Sequence, residues 1–205
     1  MDATTIRDDT SKRHAHKYAN KNPIHRLALG RFYDAMAKEI EGLAPASVLD
    51  FGCGEGFLVD KLAERGLSLR QYCGLDLREG ALAAARERHP ANDYINADIF
   101  EWDAAGRQFD LVVVSEVMEH LIEPERFLPR LAALSRGHVL LTVPHEPWFQ
   151  LANLARGRDL IRLGNHPEHI NHWNLETFTQ FVGASMKVIK SYTVFPFVYV
   201  LAQPV

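Results

Sequence analysis

The chain contains little cysteine, with only Cys53 and Cys73 in 205 residues. That excludes a disulfide framework, and the two do not form the closely spaced pairs of a thiolate metal site. They read as reduced core thiols of a cytoplasmic protein. An excess of charge of one sign is also missing. The net charge is −3, so nothing global argues for nucleic acid. No apolar run approaches the length of a membrane span. Residues 1–10 are polar and mixed in charge, unlike a secretory leader. There are no internal repeats and no low-complexity tracts. With 47% apolar residues, the composition is that of an ordinary globule, and the length suits one domain with a sheet covered on both faces.

The richest stretch is Asp50-Phe51-Gly52-Cys53-Gly54-Glu55-Gly56. It follows an apolar lead-in, Ser47-Val48-Leu49, and precedes an amphipathic run beginning at Phe57. A strand, a glycine-rich turn and a helix in that order form a nucleotide-binding unit. The spacing is G-x-G-x-G, and Phe57 stands where a dinucleotide loop needs a small residue. No Lys-Ser/Thr pair follows, which argues against a phosphate-cradling P-loop. Asp50 and Glu55 would repel phosphate and suit a cationic, amine-bearing ligand such as S-adenosylmethionine.

Further acids close later strands. Gln71–Asp76 ends in Asp76, twenty residues after Gly56, where a carboxylate can accept both hydroxyls of a ribose. Tyr94–Ile99 carries Asp98, within reach of an adenine amino group. The run from Phe109 to Ser115 is almost continuously apolar, as central parallel strands are. Acids at the carboxyl ends of successive strands line the crevice where open α/β sheets bind ligands.

These segments, with Gly74-Leu75-Asp76, Asn96-Ala97-Asp98 and Ser115-Glu116-Val117-Met118-Glu119-His120-Leu121, resemble the class I S-adenosylmethionine-dependent methyltransferases, in their type 11/12-like small-molecule branch. The resemblance is strong over roughly residues 45–145 and looser beyond. It implies a Rossmann-like doubly wound α/β sheet of seven strands, mostly parallel with a C-terminal antiparallel hairpin. It also implies a donor site of Asp50, Gly52, Cys53, Gly54, Gly56, Asp76, Leu77, Asp98, Ile99, Ser115 and Glu116. Asp50 and the glycines would hold the methionine part and Asp76 the ribose. Asp98 and the Ile99 backbone would contact adenine, and the Ser115 carbonyl would face the methionine ammonium. S-adenosylhomocysteine would be the product.

Residues 1–21 read as a flexible arm and 22–205 as a single methyltransferase domain. Asn22-Pro23 resembles a helix cap followed by proline at the first helical position. Ile24, Leu27, Ala28, Phe32, Ala35, Met36 and Ile40 follow at helical spacing. Helices are predicted over 57–65, 79–88, 124–134 and 175–182. Strands are predicted over 138–143, 187–193 and 197–202. Residues 145–174 read as a lid insertion on the acceptor side, with Trp148, Phe149, Leu151 and Leu154 as an apolar wall or simply a packed helix.

An oxygen acceptor needs a base, and His120, His145 and His169 are the candidates. If Glu116-x-x-Glu119-His120 is helical, the three side chains share one face. With His169 they could hold a divalent ion, as in the small-RNA 2′-O-methyltransferases that this run also resembles. The favoured reading has no metal, with Glu116 and His120 orienting donor or acceptor. The expected activity is methyl transfer to a small-molecule or lipid-like acceptor, on oxygen or carbon, by a monomer or homodimer that binds no nucleic acid. A magnesium-dependent small-RNA 2′-O-methyltransferase and a non-catalytic S-adenosylmethionine-binding scaffold are the alternatives.

Overall fold

The computed structural model describes residues 23–98, 100–146 and 170–205, with the side chains of residues 23–25 excepted. The expected arm, the Asn22 cap, Ile99 and most of the expected lid lie outside the described residues. Helix α1 spans Pro23–Leu43. Then follow β1 (Ser47–Phe51), α2 (Phe57–Glu64), β2 (Gln71–Asp76), α3 (Glu79–Arg88), β3 (Asp93–Asn96) and β4 (Phe109–Ser115). A 3₁₀ turn, Pro124–Arg126, leads into α4 (Phe127–Leu134), then β5 (Ser135–Pro144), α5 (Leu175–Gly183), β6 (Lys187–Val194) and β7 (Phe197–Gln203). Pro124 was expected to open a helix but makes only a 3₁₀ turn. Pro129 is tolerated in the first turn of α4, where its missing N–H has no intrahelical partner to lose.

The strands form a seven-stranded sheet in the order β3-β2-β1-β4-β5-β7-β6. The first five are parallel, while β7 runs antiparallel between β5 and β6. β1 is buried along its whole length, which is why its sequence does not alternate. One face packs on Phe32, Met36 and Ile40 of α1, Leu58 and Leu62 of α2, and Leu82 and Ala85 of α3. The other packs on Leu128 and Leu131 of α4 and Phe178 and Val182 of α5. The expected stripe of α1 is partly corrected. Leu27 is exposed, whereas Leu29 and Ala37 join the core. The long β5 begins three residues before the expected strand, with Ser135 buried at its start.

One cap was not anticipated. Asn174 accepts from Thr177 N–H, and the Thr177 hydroxyl accepts from Asn174 N–H, a reciprocal box that starts α5. Trp173, just before it, packs its ring 5.2 Å from Phe178 and 5.3 Å from Phe181. Those contacts fix the angle at which the chain enters α5.

The topology locates the site. From β1 the chain moves outward to β2 and β3, then crosses back to lay β4 on the other side of β1. The loops leaving the carboxyl ends of β1 and β4 therefore diverge, and the crevice between them is where open α/β sheets take ligands.

Candidate active site

The glycine loop leaves β1 at this switch point. Gly52, Gly54 and Gly56 have φ of +75°, +55° and +79°, a region that side-chain-bearing residues enter only under strain. Space is short as well. A Cβ at Gly52 would lie 2.5 Å from Val117 Cγ2 and 3.8 Å from the Ser115 carbonyl oxygen. The loop is thus pressed against the chain leaving β4, with the Ser115 carbonyl beside it. Backbone hydrogen bonds from Gly52 and Cys53 to the Leu75 carbonyl tie it also to β2. We predict that Gly52→Ala combines a left-handed backbone penalty with a clash against a stiff β-branched side chain. Stability should fall by about 2–3 kcal/mol, read as a lower urea midpoint; an unchanged midpoint would mean that the loop has slack.

Asp76 ends β2 with its carboxylate turned to the loop, accepting from Gly54 N–H at 2.9 Å. Its side chain is 6% exposed and forks with the Arg78 guanidinium. Leu77, next to it, is an exposed apolar side chain, and its carbonyl accepts from Asn96 Nδ2 at 2.9 Å. Asp98 accepts from Phe100 N–H at 2.7 Å, closing the turn after β3.

Asp50 differs in character. It is buried beneath the loop and accepts a 2.6 Å hydrogen bond from the Tyr72 hydroxyl. Burial pushes its carboxyl up to about 7; the Tyr72 hydrogen bond opposes the shift and nearby Asp76 adds to it. Cys53 is buried among these acids, and burial first, then the Asp50 charge, holds its thiol well above the ordinary range. It is a neutral packing group against Gly74, where a Cβ would meet its sulfur at 2.7 Å.

The Glu116–His120 segment corrects the helical expectation. Glu116 has φ +57°, and only Met118–His120 forms a 3₁₀ turn. The three side chains therefore do not share one helical face. A left-handed non-glycine residue is strained, and such residues gather at functional sites. Glu116 sits directly after β4, at the switch point, held by its N–H to the Thr142 carbonyl. No sequence pattern announced this conformation. Glu119 is buried, 3.9 Å from His120 Nε2. Among the described residues no group of three His, Cys, Asp or Glu is placed to hold a metal, and His169 lies outside them.

Asn171 fastens this segment. Its side chain donates to the Leu121 carbonyl at 2.6 Å and to that of Met118 at 3.3 Å. Ile170 and Asn171 N–H groups both donate to the Glu119 carbonyl. His145, just past β5, is half-buried and held by its N–H to the Pro196 carbonyl. Its Nδ1 is shielded from solvent and has no hydrogen-bond partner among the described residues.

The residues fit the donor that the sequence implied. Three left-handed glycines leave bare backbone at the switch point, the buried Asp76 carboxylate faces that loop, and the Asp50 carboxylate lies buried beneath it. The family described as "Methyltransferase domain" matches residues 14–184. A ubiquinone biosynthesis O-methyltransferase from Bradyrhizobium diazoefficiens is 32% identical over 74% of this chain and 64% of its own. The chain thus spans under two thirds of the length of that relative. Among solved structures, the plantazolicin methyltransferase BpumL with bound S-adenosylhomocysteine superposes with a TM-score of 0.74 at 14% identity, covering 98% of this chain and 92% of its own. Magnesium protoporphyrin IX methyltransferase from Synechocystis, also with S-adenosylhomocysteine, gives 0.73 at 16% identity, with 97% and 95% covered. The chain belongs to the class I S-adenosylmethionine-dependent methyltransferases.

Proposed function

We propose that this chain transfers a methyl group from S-adenosylmethionine to a hydroxyl oxygen of a small, apolar acceptor of the quinone-precursor type. The observation that carries the donor half is the meeting of three left-handed glycines and the Asp76 carboxylate at the switch point. The acceptor half rests on the relative named for ubiquinone biosynthesis. Exposed apolar side chains at the same end of the sheet favour it: Ile122 after β4, Ile170, and Phe195 in the turn beside the end of β5. Among the described residues no helix is long and apolar enough to cross a membrane.

The bound donor supplies an electrophilic methyl group on a sulfonium, and the chain supplies alignment and a base. Asp76 takes the ribose hydroxyls, and the loop backbone with the Ser115 carbonyl holds the methionine end. Leu77 flanks adenine, together with Asp98 and the Ile99 backbone. Cys53 packs the loop from below, and Glu116 borders the reacting centre. Of the candidate bases His120, His145 and His169, we assign His145. Its Nδ1, shielded and without a hydrogen-bond partner among the described residues, can accept the hydroxyl proton as the oxygen attacks. His145→Ala should lower kcat/KM about a hundredfold, the lower end of what a positioned base contributes, with S-adenosylhomocysteine affinity unchanged.

The test is incubation with S-adenosylmethionine and a panel of ortho-dihydroxy aromatic acids, with and without isoprenoid tails, and a small RNA duplex with magnesium. Mass spectrometry reads the product. Methylated phenol supports the proposal; methylated RNA alone, or no product from any acceptor, overturns it.

A further inference from the structure

The Asp76 carboxylate is saturated by the chain itself. Its Oδ1 accepts from Arg78 N–H at 2.9 Å and from Arg78 Nε at 3.0 Å. Its Oδ2 accepts from Gly54 N–H at 2.9 Å and from Arg78 Nη2 at 3.0 Å. A carboxylate offers about four lone-pair positions, and all are used. A ribose diol brings two more O–H donors, so two present donors must leave.

The two backbone donors cannot leave cheaply. Gly54 N–H is fixed by a loop tied to Leu75, and Arg78 N–H by the turn that opens α3. The two guanidinium N–H groups sit at the end of a flexible side chain that is 26% exposed. They also stand over the loop, with Nη2 3.4 Å from where a Cβ of Gly54 would lie. The guanidinium therefore occupies the space above the glycines. Glu55, half-buried in the same loop, is the next acid acting on it after Asp76.

We infer that Arg78 is a positioning residue of the donor site, forked onto the ribose carboxylate in the unliganded enzyme and transferred to Glu55 when a vicinal diol takes its place. This rests on the donor reading above. Asp76 keeps four hydrogen bonds throughout: two backbone and two guanidinium before, two backbone and two ribose after. The number of hydrogen bonds to Asp76 is therefore kept across the exchange, the loss of the guanidinium pair offsets part of what the ribose gains, and affinity depends also on what Arg78 finds next. Its exit also leaves a charged side chain at the adenosine rim rather than inside the site.

The experiment is calorimetric titration of the full chain with S-adenosylhomocysteine in four forms: wild type, Arg78→Met, Glu55→Gln and the double variant. Arg78→Met should bind about tenfold tighter, because a buried carboxylate left with two vacant positions gains charge-assisted bonds without giving any up. Glu55→Gln should bind several-fold weaker, and that loss should vanish in the Arg78→Met background. A merely structural arginine predicts the opposite sign for Arg78→Met and no coupling to Glu55. Weaker binding by Arg78→Met, or additive effects of the two substitutions, overturns the inference while leaving the donor reading intact. Absence of binding in all four forms overturns both. If Arg78→Met does not fold, Glu55→Gln against Arg78→Lys carries the same test: lysine cannot fork, so an undiminished Glu55 effect there sinks the exchange.

Discussion

Asp76→Ala should weaken S-adenosylhomocysteine binding about a thousandfold while leaving a folded protein. Two charge-assisted hydrogen bonds to a ribose diol contribute roughly 3–6 kcal/mol. The displacement of Arg78 offsets part of that, and loss of the Gly54 anchor adds to it. The balance is about 4 kcal/mol, which is three decades in Kd. Stability should fall less than for an ordinary buried ion pair, because the Arg78 guanidinium left behind is 26% exposed and can reach water. Asp76→Asn separates the two roles. One oxygen remains to accept from the loop or the ribose, and the amide repels the guanidinium, so affinity should lie between alanine and wild type. Calorimetry reads the affinity and urea unfolding reads the fold. Wild-type affinity in Asp76→Ala would mean that the ribose is held elsewhere, and the whole donor placement would have to be abandoned.

The parts of this site legible in the sequence are those fixed by backbone geometry. Three alternate glycines after an apolar strand demand a loop with left-handed residues, and the structure has all three. The acid ending β2 faces the loop because the parallel register pairs Asp50 with Gly74 and Phe51 with Leu75, one step short of Asp76. Strand pattern and spacing carry that much. Side-chain partnership is not carried by pattern. Arg78 in the sequence is one more basic residue at a helix start, and nothing in its spacing shows that it closes on Asp76. Glu116 fits the first position of a helical face, yet it takes a left-handed φ directly after β4, where the next residue, Val117, packs on Gly52. Leu27 fits the helical stripe of α1, but the stripe rotates by burial of Leu29 and Ala37 instead. Asn171 is unremarkable in sequence, because its targets, the carbonyls of Met118 and Leu121, lie fifty residues away.

Asp50→Asn should make the protein more stable at pH 8 and leave it nearly unchanged at pH 4. Burial raises the Asp50 carboxyl from 3.8 to about 7 in the folded protein. The unfolded chain releases this proton near 4 and the folded chain near 7. Between those values the folded state binds more protons, so rising pH favours unfolding. Stability should therefore fall from about pH 4 to about pH 7 and then level off, by roughly 4 kcal/mol for a shift of this size. Asparagine keeps an acceptor for the Tyr72 hydroxyl and removes the titration, so the difference between variant and wild type isolates it. Asp110 provides the opposite case. Its hydrogen bond from Arg136, with two more from Ser47, holds it down to about 2. Its contribution is present above about 4 and is lost as pH falls toward 2, outside the Asp50 window. A buried acid that lowers stability when ionised persists where its charge serves binding. The Asp50 charge lies under a loop expected to receive a sulfonium, so Asp50→Asn should lose affinity for S-adenosylmethionine more than for the neutral sulfur of S-adenosylhomocysteine. Urea midpoints at pH 4.5, 6 and 8 and the ratio of the two affinities test both halves. A variant whose stability tracks wild type at every pH would show that Asp50 does not titrate in this range, and the functional reading of its charge would fall with it.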